Sequence, residues 1–200
     1  MIIHRDIDQG SQAWFDLRRG LPTASCADKL LTPTGRLSAQ SEGYLNALLA
    51  ERAGFADEPM EPTPWMLRGI ELEPQARAMF ELEKGLTVEQ VAFVTTDDGR
   101  AGCSPDGLID DVGFEVKCPR CSTHIGYLRA GALPPYYRPQ VHFSMAVTGF
   151  ERWWFMSYFP GLDPLIVLVE RDEYTEKVAA ALGEFCDRLN AETVRLGLND

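Results

Sequence analysis

The sequence predicts an α/β domain in three layers, with a mixed β-sheet between helices, and three observations carry that expectation. Apolar residues recur at helical spacing in several stretches. Short runs rich in Val, Phe, Trp and Ile lie between turn signals. Helical and strand-like groups follow one another along the chain as helices, three strands, two helices, two strands and a closing helix. Two hundred residues at 45% hydrophobic are enough to bury one substantial core, so a single domain over residues 1–200 is expected.

In order, Ser11 to Arg19 reads as a short helix carrying Trp14, Phe15 and Leu17 and ending at Gly20. Thr23 is placed to cap a second helix from Ala24 to Leu31. After a polar loop, Tyr44, Leu45, Leu48 and Leu49 keep helical spacing up to Gly54. Pro59, Pro62 and Pro64 suggest a linker, followed by an amphipathic helix over about 65–84 with Leu72, Ala76, Met79 and Phe80 on one stripe. Val88 to Thr95 reads as a strand. Ala101 to Ile109 and Gly113 to Cys118 form a hairpin about the turn Asp110-Asp111-Val112-Gly113. Helices over 122–130 and 136–148, strands over 153–159 and 165–169, and a helix over 173–196 complete the chain. Trp153, Trp154 and Phe155 read as core or a subunit contact rather than a base-stacking platform.

The returning strand of the hairpin is unusual. Glu115 and Lys117 are two residues apart and share a face, with Val116 on the other, and the hairpin brings Asp106 toward them. Mg²⁺ takes oxygen ligands in octahedral geometry and keeps waters, so one or two carboxylates suffice for it. Asp106 and Glu115 supply carboxylates, the carbonyl of Val116 a further oxygen, and Lys117 an ammonium that can orient water and offset charge on a phosphate. In Arg-Gly-Ile-Glu-Leu-Glu-Pro, Glu71 and Glu73 cannot share a helix face, so one of them looks inward.

Composition narrows the classes. A formal net charge of −11 argues against binding nucleic acid over the whole surface, yet residues 116–140 carry Lys117, Arg120, Arg129 and Arg138 and no acid. Five irregularly spaced cysteines fit a reducing cytosol better than a disulfide framework. The CxxC of Cys118 and Cys121, with Cys26 and Cys103, does not make a four-cysteine cluster set and reads as structural thiols. His4, His124 and His142 lack partners at metal-ligand spacing, and His142 reads as a satisfied helix histidine. No apolar run approaches membrane-spanning length, and the N-terminus lacks a signal-peptide pattern.

Six stretches in order, QGSQAW (9–14), LRRGLPTAS (17–25), GIELE (69–73), CSPDGL (103–108), FEVKCP (114–119) and QVHFSM (140–145), resemble the lambda exonuclease or YqaJ-type viral recombinase family of the PD-(D/E)XK nuclease superfamily. Glu170-Arg171-Asp172 continues the likeness. The resemblance implies a restriction-endonuclease-like core and catalytic residues Glu73, Asp106, Glu115 and Lys117. Metal would sit on Asp106, Glu115 and the Val116 carbonyl, and the terminal 5′-phosphate on Arg18, Ser25, Ser104 and Gln140. It further implies two Mg²⁺ ions per site with Mn²⁺ as a substitute, linear double-stranded DNA as substrate, and 5′-to-3′ digestion leaving a 3′ single strand. A ring-shaped homotrimer, a single-strand annealing partner and a cytoplasmic setting in a bacterial cell, phage- or prophage-encoded, belong to the same expectation. The alternatives are a sequence-specific endonuclease of the superfamily and a non-catalytic DNA-end-binding assembly protein; the intact Asp, Glu and Lys argue against the second.

Overall fold

The computed structural model describes residues 1–55, 61 and 63–198. Of the expected Pro linker, Pro59 and Pro62 lie outside the described residues, while Pro64 is the first residue of a helix capped by the Thr63 hydroxyl. The strands are β1 (Ile2–His4), β2 (Phe93–Thr95), β3 (Gly102–Cys103), β4 (Gly107–Ile109), β5 (Val112–Lys117), β6 (Arg152–Ser157) and β7 (Leu165–Glu170). The helices are α1 (Gln12–Arg18), α2 (Ser41–Arg52), α3 (Pro64–Lys84), α4 (Cys121–Ala130), α5 (Arg138–Thr148) and α6 (Glu173–Leu196).

The expected mixed sheet comes in two pieces. β1, β2 and β3 form an antiparallel three-stranded sheet, and β4-β5-β6-β7 a four-stranded one in which only β5 and β6 run parallel. The strand expected over 101–109 is broken at Ser104-Pro105-Asp106, since a proline has no N–H to give a ladder. The strand expected over 88–95 is regular only from Phe93 and touches the second sheet through an isolated bridge from Glu89 to Leu108. β1 was not expected. Residues 24–29 form a 3₁₀ helix instead of an α-helix, without a side-chain cap from Thr23. The helix expected over 136–148 begins as a 3₁₀ turn at Pro135–Tyr137.

Alternation along β5 and β6 divides the core. Phe114, Val116 and Met156 face α3, packing with Ala76 and Phe80, and the Phe80 and Phe114 rings lie 4.5 Å apart. Trp153 and Phe155 face the other way, toward Val141 and Phe143 of α5 and Phe185 and Leu189 of α6. Trp153, Phe114, Phe155 and Phe80 are fully buried, and each such side chain stabilises the fold by roughly 1.5–3 kcal/mol. Trp154 is half-buried against Phe80. α6 opens with a capping box between Asp172 and Thr175, which accounts for the Asp of Glu170-Arg171-Asp172.

Candidate active site

The break after β3 makes the site. β4 pairs with β5 only from Gly107 opposite Phe114 to Ile109 opposite Val112. Beyond that, Asp106 takes the place of a neighbouring strand: its N–H donates to the Phe114 carbonyl at 3.0 Å, and its Oδ2 accepts from the Val116 N–H at 2.6 Å. Asp106 is thereby held beside the carboxyl end of β5. Glu115, only 2% exposed, pairs with the Lys117 ammonium and accepts from Gln140 Nε2 of α5 at 2.6 Å. From α3, Glu73 points inward and Glu71 is exposed, which answers the choice between them. Arg77, one turn on, donates to Glu73 Oε1 at 2.7 Å. Glu73, Asp106, Val116 and Lys117 line one cleft of about 430 Å³ with Trp65, Arg120 and Tyr137 at its walls.

Electrostatics explain what such a cleft can hold. Burial pushes the Glu115 carboxyl up to about 7, with Asp106 adding to the rise and Lys117 and Gln140 opposing it. Burial likewise raises Asp106, against Lys117, the Val116 N–H and Arg77. Glu73 is raised by burial and by Asp106, against Arg77. Burial works to lower Lys117, but Glu115 and Asp106 together hold it above its usual value. Three crowded carboxyls thus lean on two cations, and the donor set is all oxygen, which fits a hard divalent ion. Among the described residues no group of three or more His, Cys, Asp or Glu side chains gathers as a metal cluster. The side-chain oxygens on offer are those of Glu73 and Asp106 in the cleft and of Glu115 beside Lys117.

A second pocket, about 560 Å³, lies under α1 and includes Trp14, Arg18, Thr23, Ser25 and Tyr44. Arg18 Nη1 donates to Ser104 Oγ at 2.7 Å and Nη2 reaches Ser25 Oγ at 3.5 Å, so its hydrogen bonds go to neutral hydroxyls. Its guanidinium lies 4.0 Å from the Trp14 ring centroid, and burial lowers its pKa. A half-buried cation without a carboxylate in its hydrogen bonds is suited to an anionic ligand. The structure brings Arg18, Ser25 and Ser104 together and puts Gln140 on Glu115 instead.

The sequence places Gln9 and Trp14 in a matching stretch, and Trp14 on a helix, without a role at the site, and gives none to Trp65, Arg77 or Tyr137. Arg77 is signalled by its four-residue spacing from Glu73 and Trp14 by the same spacing from Arg18, while Gln9, Trp65 and Tyr137 meet the site through long-range contacts. Two of the histidines are structural. His124 is bonded to the Ser157 hydroxyl and the Asp163 carbonyl, and His142 to the Thr175 hydroxyl. All five cysteines are free.

Fold and site together define an α/β protein of the PD-(D/E)XK type, with the Asp106 and Glu-Val-Lys arrangement at the end of a split hairpin. The model of the YqaJ-like viral recombinase domain matches residues 13–151, and the chain belongs to that family. An alkaline exonuclease, LHK-Exo, from Laribacter hongkongensis is 31% identical, with a TM-score of 0.83 over 94% of this chain and 96% of that one. The same protein in complex with dAMP is 30% identical, with a TM-score of 0.75 over 94% and 98%. A phage-related exonuclease from Haemophilus somnus 129PT shares the fold at 14% identity, with a TM-score of 0.63 over 86% and 96%. A search of curated proteins gave no match. Family and neighbours support a nuclease.

Proposed function

We propose that this chain is a Mg²⁺-dependent exonuclease that digests the 5′-phosphorylated strand of linear double-stranded DNA in the 5′-to-3′ direction, leaving a 3′ single strand for annealing-type recombination. The observation that carries the reading is the link between two pockets. An arginine on neutral hydroxyls and a carboxylate cleft are joined by the three residues Ser104-Pro105-Asp106. Asp106, Glu115 and the Val116 carbonyl are the groups to hold Mg²⁺, two ions per site, with Mn²⁺ as a substitute. Bound there, the metal would supply Lewis-acid activation of water and of the scissile phosphate.

The protein's own groups do the rest. Gln140 and Lys117 both hold Oε1 of Glu115, and Arg77 holds Oε1 of Glu73. The Lys117 ammonium, kept protonated by its carboxylates, orients water and offsets charge developing on phosphate. Arg18, Ser25 and Ser104 grip the terminal phosphate and so align the next bond with the cleft. Gln140 acts on Glu115, whose carboxylate its amide holds at 2.6 Å.

The test is an end-labelled linear duplex, with and without a 5′-phosphate, beside a covalently closed circle. The expected outcome is digestion of the linear duplex in Mg²⁺ but not in EDTA, faster with the phosphate, and an intact circle. Asp106→Ala, Glu115→Ala and Lys117→Ala should bind duplex ends yet cleave roughly 10²–10³-fold more slowly. Cutting of the closed circle would favour an endonuclease, and undiminished cleavage in EDTA would refute the metal site.

A further inference from the structure

The Ser104-Pro105-Asp106 segment is held from the N-terminal loop as well as from β5. Gln9 Nε2 donates to two carbonyls, Val91 at 3.1 Å and Pro105 at 3.2 Å, across 82 and 96 residues of chain. Trp14 Nε1 donates to the Ala92 carbonyl at 3.0 Å and to Ser104 Oγ at 3.2 Å. The Pro105 carbonyl and the Asp106 N–H belong to one planar peptide unit. Gln9 grips its oxygen and the Phe114 carbonyl receives its N–H. That peptide is therefore pinned at both ends, and Pro105, with fixed φ and no N–H, adds little freedom of its own.

We infer that Gln9 is a positioning residue that sets the offset between the terminal-phosphate pocket and the carboxylate cleft. The inference rests on the function proposed above. Ser104 is bonded to Arg18 of one pocket and Asp106 lines the other, so the orientation of the peptide between them decides which bond is presented to Asp106 when a phosphate sits against Arg18. Gln9 touches no atom of either pocket's charged groups, and its side chain spends both N–H donors on backbone oxygens. Removing them releases the carbonyl end of the peptide, with its N–H still on Phe114, while leaving Arg18, Ser25 and Ser104 in place.

The experiment uses Gln9→Met, similar in shape without donors, and Gln9→Asn, whose amide is withdrawn by one carbon. Binding of 5′-phosphate and 5′-hydroxyl duplexes is measured in EDTA, and single-turnover cleavage of both in Mg²⁺ with product lengths resolved. Melting temperature provides the folding control. Gln9→Met should keep the wild-type phosphate preference in binding, lose about ten- to a hundredfold of the phosphate acceleration in cleavage, and release products of mixed length. Gln9→Asn should show a weaker defect of the same kind. A Gln9→Met enzyme with wild-type acceleration and uniform products overturns the inference. So does parallel loss of binding and cleavage preference, since Gln9 would then build the pocket itself. A wild-type enzyme with no phosphate preference in either assay overturns the pocket reading beneath it, a result distinguishable from both.

Discussion

Glu115 and Arg18 are the two ionisable side chains whose surroundings say most about their use. Arg18 supplies charge and paired donors where the serines supply neutral hydrogen bonds only. Arg18→Ala should erase most of the 5′-phosphate preference, measured as the ratio of single-turnover rates on the two duplexes, while slow Mg²⁺-dependent cleavage persists. Glu115 carries a stability signature. Its pKa in the folded protein is raised to about 7, above the ordinary glutamate value of about 4.3. A raised carboxyl pKa stabilises the fold fully only below about pH 4, and that contribution is lost as pH rises through about 7. In EDTA, the stability of wild type relative to Glu115→Gln should therefore fall by about 1–3 kcal/mol from pH 4 to 8, read as the difference between their denaturation midpoints. A difference that grows with pH would contradict the burial argument.

At the scale of elements, β5 is the organising strand, and its glycine is as informative as its charges. A Cβ on Gly113 would lie 2.3 Å from Trp153 ring carbons, because the buried indole of β6 covers that position. Gly113→Ala should cost about 1–3 kcal/mol through overpacking. Gly183, inside α6, has open space around it and an ordinary helical φ, so Gly183→Ala should stabilise by roughly 0.5–1 kcal/mol. Thermal melts of the two variants should move in opposite directions. A neutral Gly113→Ala would mean that the β5–β6 pairing is not as drawn, and the site with it.

For the whole molecule, the distribution of charge matters more than the total. Of the basic residues in 116–140, Lys117 and Arg120 line the cleft, with Arg120 4.2 Å from the Trp65 ring centroid, whereas Arg138 is paired with Asp172. Lys117 and Arg120 thus set two cations against the Glu73 and Asp106 carboxyls of the same cleft, inside a chain of net charge −11. Among the described residues no helix is long and apolar enough to cross a membrane. The exonuclease activity proposed above would gain from a ring that encloses its substrate, and closed cyclic symmetry is the common arrangement of homo-oligomers. Light scattering coupled to size exclusion should give about three chain masses, as a homotrimer requires. A monomer at all concentrations would remove the ring and leave the cleft chemistry untouched.

Local pattern by itself determined the helices of 41–52, 64–84 and 173–196, the hairpin turn at Asp110, and the shared face of Glu115 and Lys117. These follow from periods of 3.6 and 2 that any window of ten residues contains. Tertiary structure alone decided the rest. β1 is three residues long, and its partners lie some ninety residues away, so no local signal marks it. The interruption at Pro105 becomes a site only because Asp106 turns its carboxylate to the Val116 N–H. Which pocket receives Gln140 depends on how α5 is rotated against β5, and that rotation is set by Val141, Phe143 and Met145 entering the core. Gln9 finds the carbonyls of Val91 and Pro105 only after two sheets have met. Periodicity is a property of neighbours in sequence, whereas a hydrogen bond across ninety residues depends on a loop closure that the packed core must first stabilise.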